Sequence, residues 1–94
     1  MAIKTWACER THALFKGESP DVVPRALVRR AHRKLLILHA AVCLEDLRTP
    51  PGNRLEKLRG SRADQRSIRI NDKYRICFVW RGADAYQVEI VDYH

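Results

Sequence analysis

Residues 55–80 read LEKLRGSRADQRSIRINDKYRICFVW, from Leu55 to Trp80. The stretch opens on an acid, a base and a glycine (Glu56, Arg59, Gly60) and continues as two runs of alternating apolar and polar residues. Alternation of this kind has the two-residue period of half-buried strands. The loop between the runs can be sized from phase. A two-residue turn at Asn71-Asp72 would put Ile68 on one face with Arg75. A three-residue loop, Asn71-Asp72-Lys73, instead gathers Ile68, Ile70, Tyr74, Ile76, Phe78 and Trp80 on one face. The second register is expected, because it buries six large side chains together, and a one-residue slip would turn them all outward. Ser67, Arg69 and Arg75 then share the opposite face. Lys57, Arg59, Arg62, Arg66, Arg69, Lys73 and Arg75 place seven cations in this one stretch, a surface suited to phosphate.

Downstream, Arg81-Gly82-Ala83-Asp84 reads as a turn and residues 85–93 (AYQVEIVDY) as a last strand, with Tyr86, Val88 and Ile90 on its core face. Upstream, Thr49-Pro50-Pro51-Gly52-Asn53 is the strongest break in the chain. Before it, residues 25–42 (RALVRRAHRKLLILHAAV) carry Leu27, Ala31, Leu35, Leu38 and Val42 at spacings of four, four, three and four. That is a helical stripe, widened by Val28. Arg25, Arg29, Arg30, Arg33 and Lys34 fall on its other faces. Ser19-Pro20-Asp21 and Pro24 both signal a helix start, and the boundary stays open between them. Cys43 to Arg48 ends the helical region. Residues 9–16 predict one or two helical turns stopped by Gly17, and residues 2–7 a short first strand. A strand, then helices, then three antiparallel strands make an α+β domain, with helices on one face of the sheet and the other face open and basic.

At 94 residues, 46% hydrophobic and 31% charged, the chain is expected to form a single globular domain over residues 1–94. A net charge of +7 and a pI near 9.8 point to a polyanionic or acidic protein partner. Cys8, Cys43 and Cys77 form no C-x-x-C pair, which argues for reduced thiols and against zinc or a disulfide framework. The start MAIKTWACERTH is mixed rather than an apolar signal segment, and no apolar run approaches membrane length. A cytoplasmic protein without a membrane partner is therefore expected. His12, His32 and His39 are expected to pack or face solvent, and no metal site is assigned.

The stretch from Leu55 to Trp80, together with the terminal VEIVDYH, resembles the HigB group of the RelE/ParE superfamily of bacterial toxins, also labelled host-inhibition, plasmid maintenance or proteic killer proteins. GNRLEKLRG, SIRINDKYRICF and VEIVDYH carry the resemblance closely from Pro50 to His94, and the first half follows it in layout. The resemblance implies a RelE-like fold, with an N-terminal strand and two helices packed on a twisted antiparallel sheet that ends in a three-strand meander. It implies cleavage of messenger RNA in the ribosomal decoding site without metal or cofactor. It also implies neutralisation by a small helix-turn-helix antitoxin of HigA type, with operator DNA reached only through the antitoxin complex. The family's Lys-Gly is similar to Arg59-Gly60, its third-strand arginine to Arg75, and its terminal Asp-Tyr-His to Asp92, Tyr93 and His94. Glu56 stands where one HigB pattern has a histidine, closer to the YoeB pattern, in which a glutamate resembles a general base. Ser61 stands where the family often has aspartate.

Cutting RNA with its own 2′-hydroxyl needs a base at that hydroxyl, cations on the phosphate oxygens and an acid for the leaving 5′-oxygen. Glu56 suits the base, the more so if a dry pocket raises its pKa. Arg59 and Arg75 suit the phosphate, and His94 the acid. Tyr93 is placed to stack on a base or donate a proton; Asp92 either orients His94 or is an alternative base. Lys57, Arg62, Arg66, Arg69 and Lys73 are the candidate RNA-binding cations. Asp92 and His94 fall in phase with Val88 and Ile90, so either the sheet ends there or a bulge re-aims them. Two other functions compete: a ParE-like DNA gyrase inhibitor, which lacks the acid–base set, and a non-catalytic basic RNA-binding module. The module would expose stacking aromatics in mid-strand, whereas Tyr74, Phe78 and Trp80 fall on the core face.

Overall fold

The computed structural model describes residues 1–18 and 20–92; Ser19, Tyr93 and His94 lie outside the described residues. Two helices, α1 (Glu9–Phe15) and α2 (Val28–Ala40), precede four strands: β1 (Glu56–Lys57), β2 (Arg66–Arg69), β3 (Tyr74–Arg81) and β4 (Asp84–Asp92). The strands pair in chain order, each antiparallel to the next. This is the expected α+β architecture, with one strand more than the meander read from the sequence. The addition is β1, whose two residues are too short to show a period.

The β2–β3 hairpin has the register chosen from phase. Ile68 lies opposite Ile76 and Arg69 opposite Arg75, and the Ile70 amide donates to the Tyr74 carbonyl at 2.9 Å. Three residues therefore form the loop. Asn71 holds it shut, its side-chain oxygen accepting the amides of Lys73 and Tyr74 at 2.9 and 2.7 Å. Ile68, Ile70, Ile76 and Phe78 join Leu14, Ala31, Leu35, Leu38 and Leu47 in one core between helices and sheet. Tyr74 and Trp80 pack at its rim. Burying each large side chain there contributes about 1.5–3 kcal/mol, which sets the register.

The β3–β4 hairpin departs from simple alternation. Between Cys77 and Val79 the partner strand carries one extra residue, and Gln87 takes a positive φ of 54°. This bulge reverses the phase of β4. Ala85, not Tyr86, joins Val88 and Ile90 in the core, while Tyr86 lies opposite Val79 on the other face with the Arg81 guanidinium over its ring. The bulge precedes Val88, so it does not re-aim Asp92, which keeps the phase of Val88 and Ile90 at the end of the sheet.

The N-terminal segment runs parallel to β4, and only Ile3 and Trp6 form bridges, to Ala85 and Val88. It still covers that edge: Lys4 donates to Ala85 O at 2.8 Å, Ala7 to Val88 O at 3.0 Å, and Ile90 N–H to Thr11 Oγ1 at 3.1 Å. Leu27 sits in a 3-10 turn (Arg25–Leu27) that follows Pro24. Ala31, Leu35 and Leu38 face inward from α2, but Val42 does not, being 68% exposed. The helix stops early because Asp46 accepts the Val42 and Cys43 amides at 2.9 and 3.3 Å and caps a new 3-10 turn (Leu44–Arg48). Those same amides hold the Asp46 carboxyl below its usual range.

The second face of the sheet is not open. Ser67, Arg75, Cys77 and Val79 are all buried. Residues 58–65 fold over it: Leu58 is buried, and Arg62 reaches Glu89, the cross-strand neighbour of Cys77. Among the described residues, no helix is long and apolar enough to cross a membrane.

Candidate functional site

Glu56 and Ser67 are direct partners across β1 and β2, so their side chains share the second face, where Arg75 also lies. Arg75 is 7% exposed. Its Nε donates to Ser67 Oγ at 2.7 Å, and its Nη2 to the Arg54 carbonyl at 2.6 Å and the Ser67 carbonyl at 3.4 Å. The same Nη2 lies 3.3 Å from Glu56 Oε1. Burying a guanidinium is tolerated only where such acceptors replace water. The Arg54 carbonyl belongs to a residue in left-handed conformation (φ 44°, ψ 58°) that ends the short turn after Pro51-Gly52-Asn53. The Pro-Pro-Gly break thus positions a site arginine as well as separating helix from sheet.

Above this pair lies a cleft of about 560 Å³ lined by Glu56, Lys57, Leu58, Arg59, Ser61 and Arg62. Its floor is carried by β1 and its rim by the turn Gly60–Arg62, where Gly60 takes a φ of 66° that favours glycine. Arg59 is exposed at this rim. Arg62 is held by the Gln65 amide oxygen at 2.8 Å and by Glu89 at 3.8 Å. A second groove shares Glu56 and Lys57 and adds Arg48, Glu45 and Arg66. The surroundings of Glu56 are not dry, since its side chain is 54% exposed. A half-exposed carboxylate against a buried guanidinium is accessible to substrate and held in place from below.

Of the residues nominated from the sequence, Glu56, Arg59, Arg75, Lys57 and Arg62 come together here, and Arg66 lines the adjoining groove. Arg69 and Lys73 do not. Arg69 pairs with Asp72 and lines a cleft with Arg30, Arg33 and Lys34 of α2. Lys73 meets Asp92 at 3.6 Å beyond the β2–β3 loop. Asp92 lies opposite Tyr74, in the phase that faces away from Arg75. Tyr93 and His94 fall outside the described residues. Ser67, the Arg54 carbonyl and Arg48 were not singled out as site groups. For Ser67 the signal existed: a small hydroxyl residue in phase with two arginines. Cys77, buried beneath Arg62, is pushed up by burial, against the pull of Arg62 and Arg75, and is an inert core thiol.

The family model described as a RelE-like toxin of the type II toxin–antitoxin system HigB matches residues 11–94. The chain belongs to the HigB-like toxin family. It is 46% identical over 59 residues to Toxin HigB-1 of Vibrio cholerae serotype O1, a match covering 63% of this chain and 62% of that protein. It is 36% identical over 66 residues to an uncharacterised protein of Haemophilus influenzae, covering 70% of this chain and 65% of the relative. The chain therefore spans less than two thirds of the length of these HigB-like and related proteins. Two helices on a four-strand antiparallel sheet fit the RelE-like fold of the family.

Proposed function

We propose that this chain is the toxin of a type II toxin–antitoxin pair, and that it arrests translation by cutting messenger RNA on the ribosome. The observation that supports this reading most is the ion pair of exposed Glu56 with buried Arg75 beside the cleft lined by Lys57, Arg59 and Arg62. Glu56 takes the proton of the 2′-hydroxyl as its oxygen attacks the adjacent phosphorus. Arg59 and Arg75 stabilise the charge that grows on the phosphate oxygens. The bond from phosphorus to the 5′-oxygen breaks, and His94 returns a proton to that oxygen. The products are a 2′,3′-cyclic phosphate and a 5′-hydroxyl. Tyr93 stacks on a neighbouring base. Asp92, which meets Lys73 at 3.6 Å, orients His94 or serves as an alternative base. The partners are the ribosome with its message and a small helix-turn-helix antitoxin of HigA type.

The test is purified protein added to ribosomes programmed with a defined message. The expected result is 2′,3′-cyclic phosphate and 5′-hydroxyl ends on that message, and none when a HigA-type antitoxin is present. Intact message alongside trapped gyrase–DNA cleavage complexes would replace this reading with gyrase inhibition.

A further inference from the structure

Arg30, Arg33, Lys34 and Ile37 follow the i, i+3, i+4, i+7 spacing of one helix face. Together with Arg69 and the loop residues Pro50, Gly52, Ile70 and Asn71 they line a cleft of about 300 Å³ that shares no residue with the cleft at Glu56. Four cations meet there, and among the described residues that line it there is no carboxylate. The cluster is also built. Asn53 is fully buried and anchored by two donations from its Nδ2, to the Leu47 and Thr49 carbonyls at 3.2 Å each. Its oxygen accepts from the Lys34 ammonium, and Asp72 holds Arg69 from the solvent side. Burial, with the charges of Arg30, Arg33 and Arg69, pushes the Lys34 pKa below its ordinary value. Like charges gathered by a buried anchor are mutually repulsive until an anion enters between them.

We propose that this cleft between α2 and the β2–β3 loop is a second phosphate-binding site, which holds a backbone phosphodiester of RNA apart from the phosphate at Glu56. Three guanidinium forks and an ammonium lining one cleft suit a tetrahedral anion with two free oxygens. The choice of RNA as the polymer rests on the proposed substrate; the site itself does not depend on cleavage.

Binding is therefore measured without chemistry, in the full chain carrying Glu56→Gln, against a short single-stranded RNA over a salt series. In that background Arg30→Gln with Arg33→Gln is compared with Arg10→Gln with Arg81→Gln, which removes the same charge from exposed positions elsewhere. The α2 pair should weaken binding about tenfold at low salt and lower the slope of log affinity on log salt by about 0.7 for each phosphate that is no longer neutralised. Inorganic phosphate should raise the melting temperature of the parent more than that of the α2 pair. Equal losses in the two pairs, or equal stabilisation by phosphate, would overturn the site. Unchanged RNA binding with lost binding to the purified antitoxin would assign the cleft to an acidic protein and overturn it as well. Absence of message cleavage by the parent carrying Glu56, with both binding results as expected, would support this site and count only against the proposed function.

Discussion

Two basic clefts among the described residues, one at Glu56 and one beside α2, are assembled on different principles. At Glu56 the deepest cation, Arg75, is enclosed by a hydroxyl, two carbonyls and a carboxylate, with further cations left at the rim. Beside α2 the cations face one another, steadied by one buried amide and by Asp72 at the surface. A satisfied arginine next to an accessible carboxylate is a fixed arrangement in which a proton can be moved. Repelling cations without a carboxylate in the lining can attract an anion but have no group to take its proton. Chemistry is therefore expected at the first cleft and affinity at the second.

The largest effect that would break this contrast comes from Arg75. Arg75→Ala strands the Arg54 and Ser67 carbonyls and the Ser67 hydroxyl, and should cost about 3 kcal/mol of stability by denaturant midpoint. Message cleavage by the fraction still folded should fall below detection. A variant as stable as the parent would show that Arg75 is not the anchor of the site. Next is His94. Removing His94 alone should lower cleavage by about two to four powers of ten, with ribosome binding nearly kept and the basic limb of the pH profile lost. Full-rate cleavage by the truncated chain would move the acid elsewhere.

The smallest effect sharpens the second cleft. Lys34 has its folded pKa depressed from 10.5 by burial and by Arg30, Arg33 and Arg69. The folded state therefore releases that proton before the unfolded state does, and stability contributed at Lys34 is gained as pH rises through the folded value toward 10.5. Denaturant midpoints of the parent, relative to Lys34→Gln, should climb over that alkaline window and level above it. A flat difference would mean that neither burial nor the neighbouring cations depress Lys34.

Much of the fold was legible because its cues are local. Phase alone sized the Asn71–Lys73 loop, since the wrong register would have exposed Ile68 and Ile70. The α2 stripe was legible up to Leu38; its end was not, because Asp46 takes the Val42 and Cys43 amides from beyond the helix. The β4 bulge was hidden, for Gln87 is not a residue type that announces a positive φ, and simple alternation therefore puts Tyr86 on the wrong face. The closed second face was hidden as well, since the covering residues 58–65 are polar apart from Leu58, Gly60 and Ala63. At the site, the resemblance supplied Glu56, Arg59 and Arg75. Their geometry depends on Ser67 and the Arg54 carbonyl, hydrogen bonds made across 8 and 21 residues that no local pattern encodes.

The central claim is that Glu56, set against Arg75, is the base that starts cleavage, and Glu56→Gln tests it most directly. The amide keeps the shape and an acceptor oxygen for Arg75 but cannot take the 2′-hydroxyl proton. Single-turnover cleavage on programmed ribosomes should slow by about two to four powers of ten. The denaturant midpoint should change little, because an ion pair with one half-exposed partner contributes about 1 kcal/mol or less. Cleavage at the parental rate, with the same cyclic-phosphate ends, would contradict the account and leave Glu56 as a surface partner of Arg75.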